Sequence, residues 1–237
     1  MPLWEVILLA GVVAVLLYLG IPWLYCRWNR HALRRLATEQ NRLVLTLDDG
    51  PGRQLTTQVL QLLAATDVKA TFFLLGRNIQ QNEDLVRRIQ AQGHEIGSHT
   101  YEHLHAWKVA PWRSVSDIRR GFQALDEALG TPAGRYPFRP PYGKMNLITL
   151  LYLLVRRIPI AYWTIDCCDT WLLRPAQSPA AELSRAAGGG IVLAHDFDRG
   201  TESVHQYVLD ALRSTLSMAR QQGLQVSTFS QLKGAGT

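Results

Sequence analysis

Leu3 to Tyr25 is an almost unbroken apolar run in which Glu5 is the only charge. A helix of about 20 such residues crosses a hydrocarbon core. A core helix of a soluble domain is shorter and keeps a polar face. A cleaved signal peptide fits poorly, because no basic segment precedes the run and no small-residue site ends it. The run therefore reads as an uncleaved transmembrane anchor over 1–26. Trp4 at one end and Trp23, Tyr25 and Trp28 at the other suit the two interfaces.

No Lys or Arg precedes this run, whereas Arg27, Arg30, Arg34, Arg35 and Arg42 follow it. The positive-inside rule then expects a single-pass membrane protein whose main domain faces the cytoplasm, the alternative being an extracytoplasmic domain. Residues 27–41 read as a basic juxtamembrane linker, suited also to anionic headgroups. The 237-residue chain carries a formal charge of +6, which by itself admits nucleic acid, acidic glycan or anionic lipid. Cys26, Cys167 and Cys168 are odd in number and two are adjacent, so they form no disulfide framework. That agrees with a reducing compartment.

The remainder, 42–237, suits one domain. Short β-like runs alternate with helical ones. Strands are expected at Leu43–Leu47, Ala70–Leu75, Glu95–Ser98, Tyr136–Arg139, Ile160–Asp166, Ile191–His195 and Leu224–Thr228. Helices are expected at Gln54–Ala65, Asp84–Gln92, Ser116–Leu129, Asn146–Val155, Pro179–Ala187 and Glu202–Gln222. Such alternation predicts an α/β fold with a parallel sheet. Asp48, Asp49, His99, Arg139, Asp166 and His195 all fall at strand ends. Reactive groups gathered from several C-terminal strand ends favour a barrel over an open sheet.

Four stretches carry chemistry. Thr46-Leu47-Asp48-Asp49-Gly50-Pro51 places two adjacent carboxylates after a strand, which calls for a cation, although Asp also opens ordinary turns. Ser98-His99-Thr100-Tyr101-Glu102-His103 spaces two imidazoles four apart, which on a helical turn puts both on one face. One Asp and two His suit Zn²⁺, with Co²⁺, Ni²⁺ or Fe²⁺ chemically admissible. Phe138-Arg139-Pro140-Pro141-Tyr142-Gly143 is a stiff loop in which an Arg can orient a carboxylate and a backbone N–H can face an oxyanion. Trp163 to Trp171 and Leu193-Ala194-His195-Asp196 complete the set. His94 reads as structural, and His31, His105 and His205 as solvated. Leu147–Val155 is apolar nearly all round, as in a buried helix or, alternatively, one that touches a membrane.

These segments, in this order, resemble the polysaccharide deacetylases (carbohydrate esterase family four, the nodulation-type deacetylase domain). Lys69-Ala70-Thr71-Phe72-Phe73 and Gly93-His94-Glu95-Ile96-Gly97 add to the likeness, which spans roughly Arg42 to Leu232. The resemblance implies a distorted (β/α) barrel, which with the elements above would have about seven parallel strands and follow one transmembrane helix. It implies a hydrolase that removes an N-acetyl or related acyl group from an amino sugar, with one divalent metal, Zn²⁺ first. Asp49, His99 and His103 would be its ligands. Asp48 would be the base, held by Arg139. Tyr142 would offer its backbone N–H to the oxyanion. Leu193 and Trp171 would line the substrate pocket. His195 would be the acid, tuned by Asp166, with Asp169 the alternative because Thr170 displaces Trp171 from the family's pattern. The partners implied are an amino-sugar glycan, lipid-linked if the topology holds, and the membrane, not nucleic acid. An outward-facing enzyme of peptidoglycan or exopolysaccharide is the second reading, and a silent glycan-binding protein on the same fold a third.

Overall fold

The computed structural model describes residues 2–131, 136–169, 188–199 and 201–234. The expected helix Pro179–Ala187 and Trp171 lie outside them. The helices are α1 (Leu3–Glu39), α2 (Leu55–Thr66), α3 (Gly76–Gln81), α4 (Glu83–Ala91), α5 (Pro111–Leu129), α6 (Leu147–Val155), α7 (Glu202–Gln221) and α8 (Phe229–Leu232). The strands are β1 (Arg42–Asp48), β2 (Thr71–Leu74), β3 (Glu95–Ser98), β4 (Ile165–Asp166), β5 (Gly190–His195) and β6 (Gln225–Ser227).

All pairings are parallel, in the order β3-β2-β1-β5-β4. β6 and β2 share one edge of β1 in succession, Arg42–Val44 pairing with β6 and Thr46–Asp48 with β2. Leu43, Leu45 and Leu47 turn to one core with α2, α4, α5 and α7. Val44 turns to a second core, filled by α1, α6 and α8. This period of two carries Thr46 and Asp48 onto the second face, at whose upper end the reactive groups gather.

The closed barrel of about seven strands is not what the described residues form: they hold six strands, and no pairing closes the ring. Phe138 and Ile160 extend the sheet beyond β3 by single parallel bridges, Ser98 to Phe138 to Ile160. Proline explains why these are not ladders. Pro137, Pro140, Pro141 and Pro159 flank the bridging residues and have no N–H to donate.

The first helix is one continuous rod of 37 residues. Its apolar first part lies exposed and is long enough to cross a membrane. The helix then runs on through 27–39, where a linker was expected, and inserts Leu33 and Ala37 into the second core. Gly189, with φ 124°, lets the start of β5 approach the Ala37 and Arg42 carbonyls, where a side chain would not fit. α6 buries Thr149, Leu150 and Leu153 but leaves Ile148, Leu151, Leu154 and Val155 exposed, so it is only half a buried helix. His205, expected in solvent, is buried.

Candidate metal and catalytic site

β1 ends by delivering Asp48 inward, and Asp49 then turns in the left-handed region at φ 69°. Asp49 Oδ1 lies 3.4 Å from His99 Nε2 and 3.3 Å from His103 Nε2. It is buried and has no hydrogen-bond partner. One ligand atom from each of the three residues lies within 4.8 Å of the others. An orphaned carboxylate oxygen facing two imidazole nitrogens fits a divalent cation, and N₂O donors suit zinc.

The histidines are presented in the ligating state. His99 Nδ1 donates to the Arg139 carbonyl at 2.7 Å, which leaves the Nε2 lone pair toward Asp49. Burial is the main influence on His99 and takes its pKa down to about 3, against the pull of Asp49. Burial also lowers His103. Both shifts favour the neutral ring.

The pair does not come together on a helical turn, as its spacing had suggested. Residues 99–104 form an irregular loop with Thr100 at φ 71° and His103 at φ 62°. Left-handed backbone at non-glycine residues costs energy and persists where surrounding contacts enforce it. Asp117, buried on α5, does so by accepting the Glu102 and Leu104 N–H groups at 2.9 and 3.4 Å. Gly121, one turn on, lets α5 lie against the loop, since a Cβ there would meet the Thr100 carbonyl carbon at 2.6 Å. Neither residue was singled out from the sequence. The available signal was a carboxylate on the buried stripe of α5 beside Ile118, Ala124 and Leu125.

Arg139 is fully buried, and its guanidinium donates to Asp48 Oδ1 at 2.8 Å and Thr46 Oγ1 at 2.6 Å. It lies over the Phe73 ring at 4.2 Å. Burial raises the Asp48 pKa, and Arg139 opposes that rise. Tyr142, on the same loop, has φ 56° and sets its ring 4.6 Å from His103 and 4.9 Å from His105. The two loops are also tied by Trp107 Nε1 donating to Met145 O and by Asn146 Nδ2 donating to Ala106 O.

His195 is the parallel partner of Asp48 in the β1–β5 register, so the two groups stand side by side. The pairing expected of Asp166 falls to Asp169, which meets His195 Nδ1 at 2.8 Å and accepts its backbone N–H at 2.7 Å. Asp166 instead accepts from the Cys168 N–H at 2.8 Å. Cys168, with φ 56°, makes the turn that brings Asp169 round. Burial depresses His195, but Asp169, with Asp48 and Asp49, overrides it and brings the pKa up to about 9. Leu193 is buried on β5 and pairs across to Thr46 and Asp166.

Asp196 is a further buried acid, bonded by Thr56 Oγ1 at 2.6 Å beneath Gly50. Burial, with the charges of Asp48 and Asp49, lifts its pKa to about 7. Asp198 accepts the Gln54 and Leu55 N–H groups, capping α2 from the neighbouring loop and fixing the turn after Asp49.

A family model described as polysaccharide deacetylase matches residues 35–155, about half of the chain. Peptidoglycan-N-acetylglucosamine deacetylase PgdA of Listeria monocytogenes is 33% identical over 201 residues, 84% of this chain and 40% of that protein. The chain thus spans well under half the length of that relative. A peptidoglycan-N-acetylglucosamine deacetylase of Bacillus cereus is 32% identical over 80% of this chain and 87% of its own length. Among solved structures, a peptidoglycan N-acetylglucosamine deacetylase in complex with a naphthalenyl N-oxidanyl-benzamide superposes with a TM-score of 0.72. It is 30% identical, and the match covers 81% of this chain and 88% of that one.

Proposed function

The chain belongs to the polysaccharide deacetylase family, and on that premise we propose that it is a metal-dependent hydrolase releasing acetate from an N-acetylated amino sugar at a membrane. The observation that carries this reading is the side-by-side placement of Asp48 and His195 next to the Asp49–His99–His103 set. Amide hydrolysis needs a base, an acid and a stabilised oxyanion, and each has a group here. Asp49, His99 and His103 would hold Zn²⁺, which would supply Lewis acidity and bring the pKa of a water down to about 7.

Asp48 takes the proton of the attacking water as its oxygen adds to the acetyl carbon. Arg139 keeps the Asp48 carboxylate aimed. The Tyr142 N–H donates to the oxygen that becomes negative. His195, charged through Asp169, gives a proton to the departing nitrogen as the C–N bond breaks, leaving acetate and a free amine. Leu193 lines the space for the acetyl methyl.

The substrate is a membrane-borne, lipid-linked amino sugar, because α1 passes from the expected bilayer straight into the catalytic domain. The arginines that follow the apolar run support a cytoplasmic domain. A second reading, an outward-facing domain acting on wall glycan, is favoured by relatives whose names specify peptidoglycan.

The test is acetate release by the full chain from N-acetylglucosamine glycans, soluble and lipid-linked, before and after chelation. The expected result is release that chelation abolishes and Zn²⁺ restores. Tight metal binding with no acyl release from any amino sugar would replace this reading with that of a glycan-binding protein.

A further inference from the structure

Where α1 passes the rim of the domain, a cavity of about 220 Å³ opens beside the site. Trp23, Arg27 and Arg30 of α1 form one wall, and Trp107, Tyr142 and Lys144 of the two tied loops form the other. The cavity adjoins the metal set, because the Tyr142 ring that lines it also packs on His103.

Three of those six side chains are cations. Among the described residues none of the three pairs with a carboxylate. Each lies over an aromatic ring: Arg27 over Trp23 at 5.1 Å, Arg30 over Trp163 at 4.3 Å and Lys144 over Trp107 at 4.5 Å. Arg30 Nε is buried and has no hydrogen-bond partner. Clustered like charges repel, and a buried donor without a partner is costly. A bound anion relieves both.

The apolar run of α1, which ends at Tyr25, reaches this same wall through Pro22 and Trp23, with Cys26 just beyond it, so a bilayer crossed by α1 has its surface level with the cavity. Exposed Ile148, Leu151, Leu154 and Val155 of α6, which packs on α1, add an apolar face on that flank. An anion reaching this place together with an amino sugar is one that joins sugar to lipid.

We propose that this cavity binds the phosphate or diphosphate linking an N-acetylated amino sugar to a lipid, and thereby sets the sugar's amide at the Asp49–His99–His103 centre. The chemistry requires such closeness, since in a 2-acetamido sugar only two ring carbons and the glycosidic oxygen separate the amide nitrogen from an anomeric phosphorus. Arg27 and Lys144 hold the phosphoryl oxygens at the rim, and Arg30 holds them deeper. The proposal rests on the deacetylase reading above.

The experiment uses the full chain in phospholipid-free detergent micelles. Two substrates share one N-acetylglucosamine and one lipid tail, joined through diphosphate in the first and through a plain glycosidic ether in the second. The expected kcat/KM is about tenfold or more higher for the diphosphate. The double variant Arg27→Gln/Lys144→Gln brings the ratio toward one. Deacetylation of both substrates at equal kcat/KM overturns the proposal and leaves the deacetylase reading standing. Deacetylation of neither overturns that reading and the proposal with it. A ratio near one, with both substrates accelerated equally by added anionic phospholipid, assigns the cations to bulk headgroups and also overturns the proposal.

Discussion

Asp169 grips His195 twice, accepting the backbone N–H on one carboxylate oxygen and meeting Nδ1 with the other. This fixes the ring, leaves Nε2 toward the site and keeps a proton on the imidazole well above the usual pH. In the proposed mechanism His195 is the acid only while protonated, so activity is lost as pH rises through its pKa, about 9. Asp169→Asn removes the main upward influence and moves this alkaline limb to lower pH. The kcat/KM profile of the variant checks it, and an unmoved limb would detach His195 from the acid's role.

Asp117 supports the loop that carries the proposed ligand His103. Asp117→Ala frees the Glu102 and Leu104 N–H groups and lets the left-handed loop relax. Zn²⁺ affinity falls by about 10–100-fold, the usual effect of losing such a support. Competition with a chromogenic chelator measures this, and wild-type affinity would show that the loop holds its shape unaided.

The end of α1 belongs to the sheet domain as much as to the apolar run that precedes it. Leu33 is 2% exposed in the second core, whereas Leu16, on the same helix, is 64% exposed. Leu33→Ala costs about 2–5 kcal/mol of domain stability. Leu16→Ala leaves domain stability unchanged. Thermal unfolding in detergent separates the two, and equal effects would contradict this packing.

That the sheet is parallel and that Asp48, Asp49, His99, Arg139 and His195 gather was legible in sequence, from the alternation of strand-like and helical runs, from the place of these residues at strand ends and from the family resemblance. What was not legible depends on contacts between distant segments. Asp166 and Asp169 are equivalent as letters, and only the turn at Cys168 decides which of them meets His195. The His99–His103 spacing looked helical, but an acid on α5 imposes a loop. Residues 27–39 looked like a linker because five of them are basic when His31 is counted with the arginines. Their buried stripe of Asn29, Leu33 and Ala37 has helical period and was hidden by those charges. The 136–139 segment has strand composition, but Pro137 within it and Pro140 and Pro141 after it reduce it to two isolated bridges at Phe138.

The central claim is that Asp48 acts on water while Asp49, one residue on, holds metal. Metal content and acetate release should be measured together on the wild-type chain, Asp48→Asn and His99→Ala. The account predicts that Asp48→Asn keeps its metal and loses about 10²–10⁴-fold in turnover, while His99→Ala loses both. Wild-type turnover by Asp48→Asn would contradict the assigned mechanism.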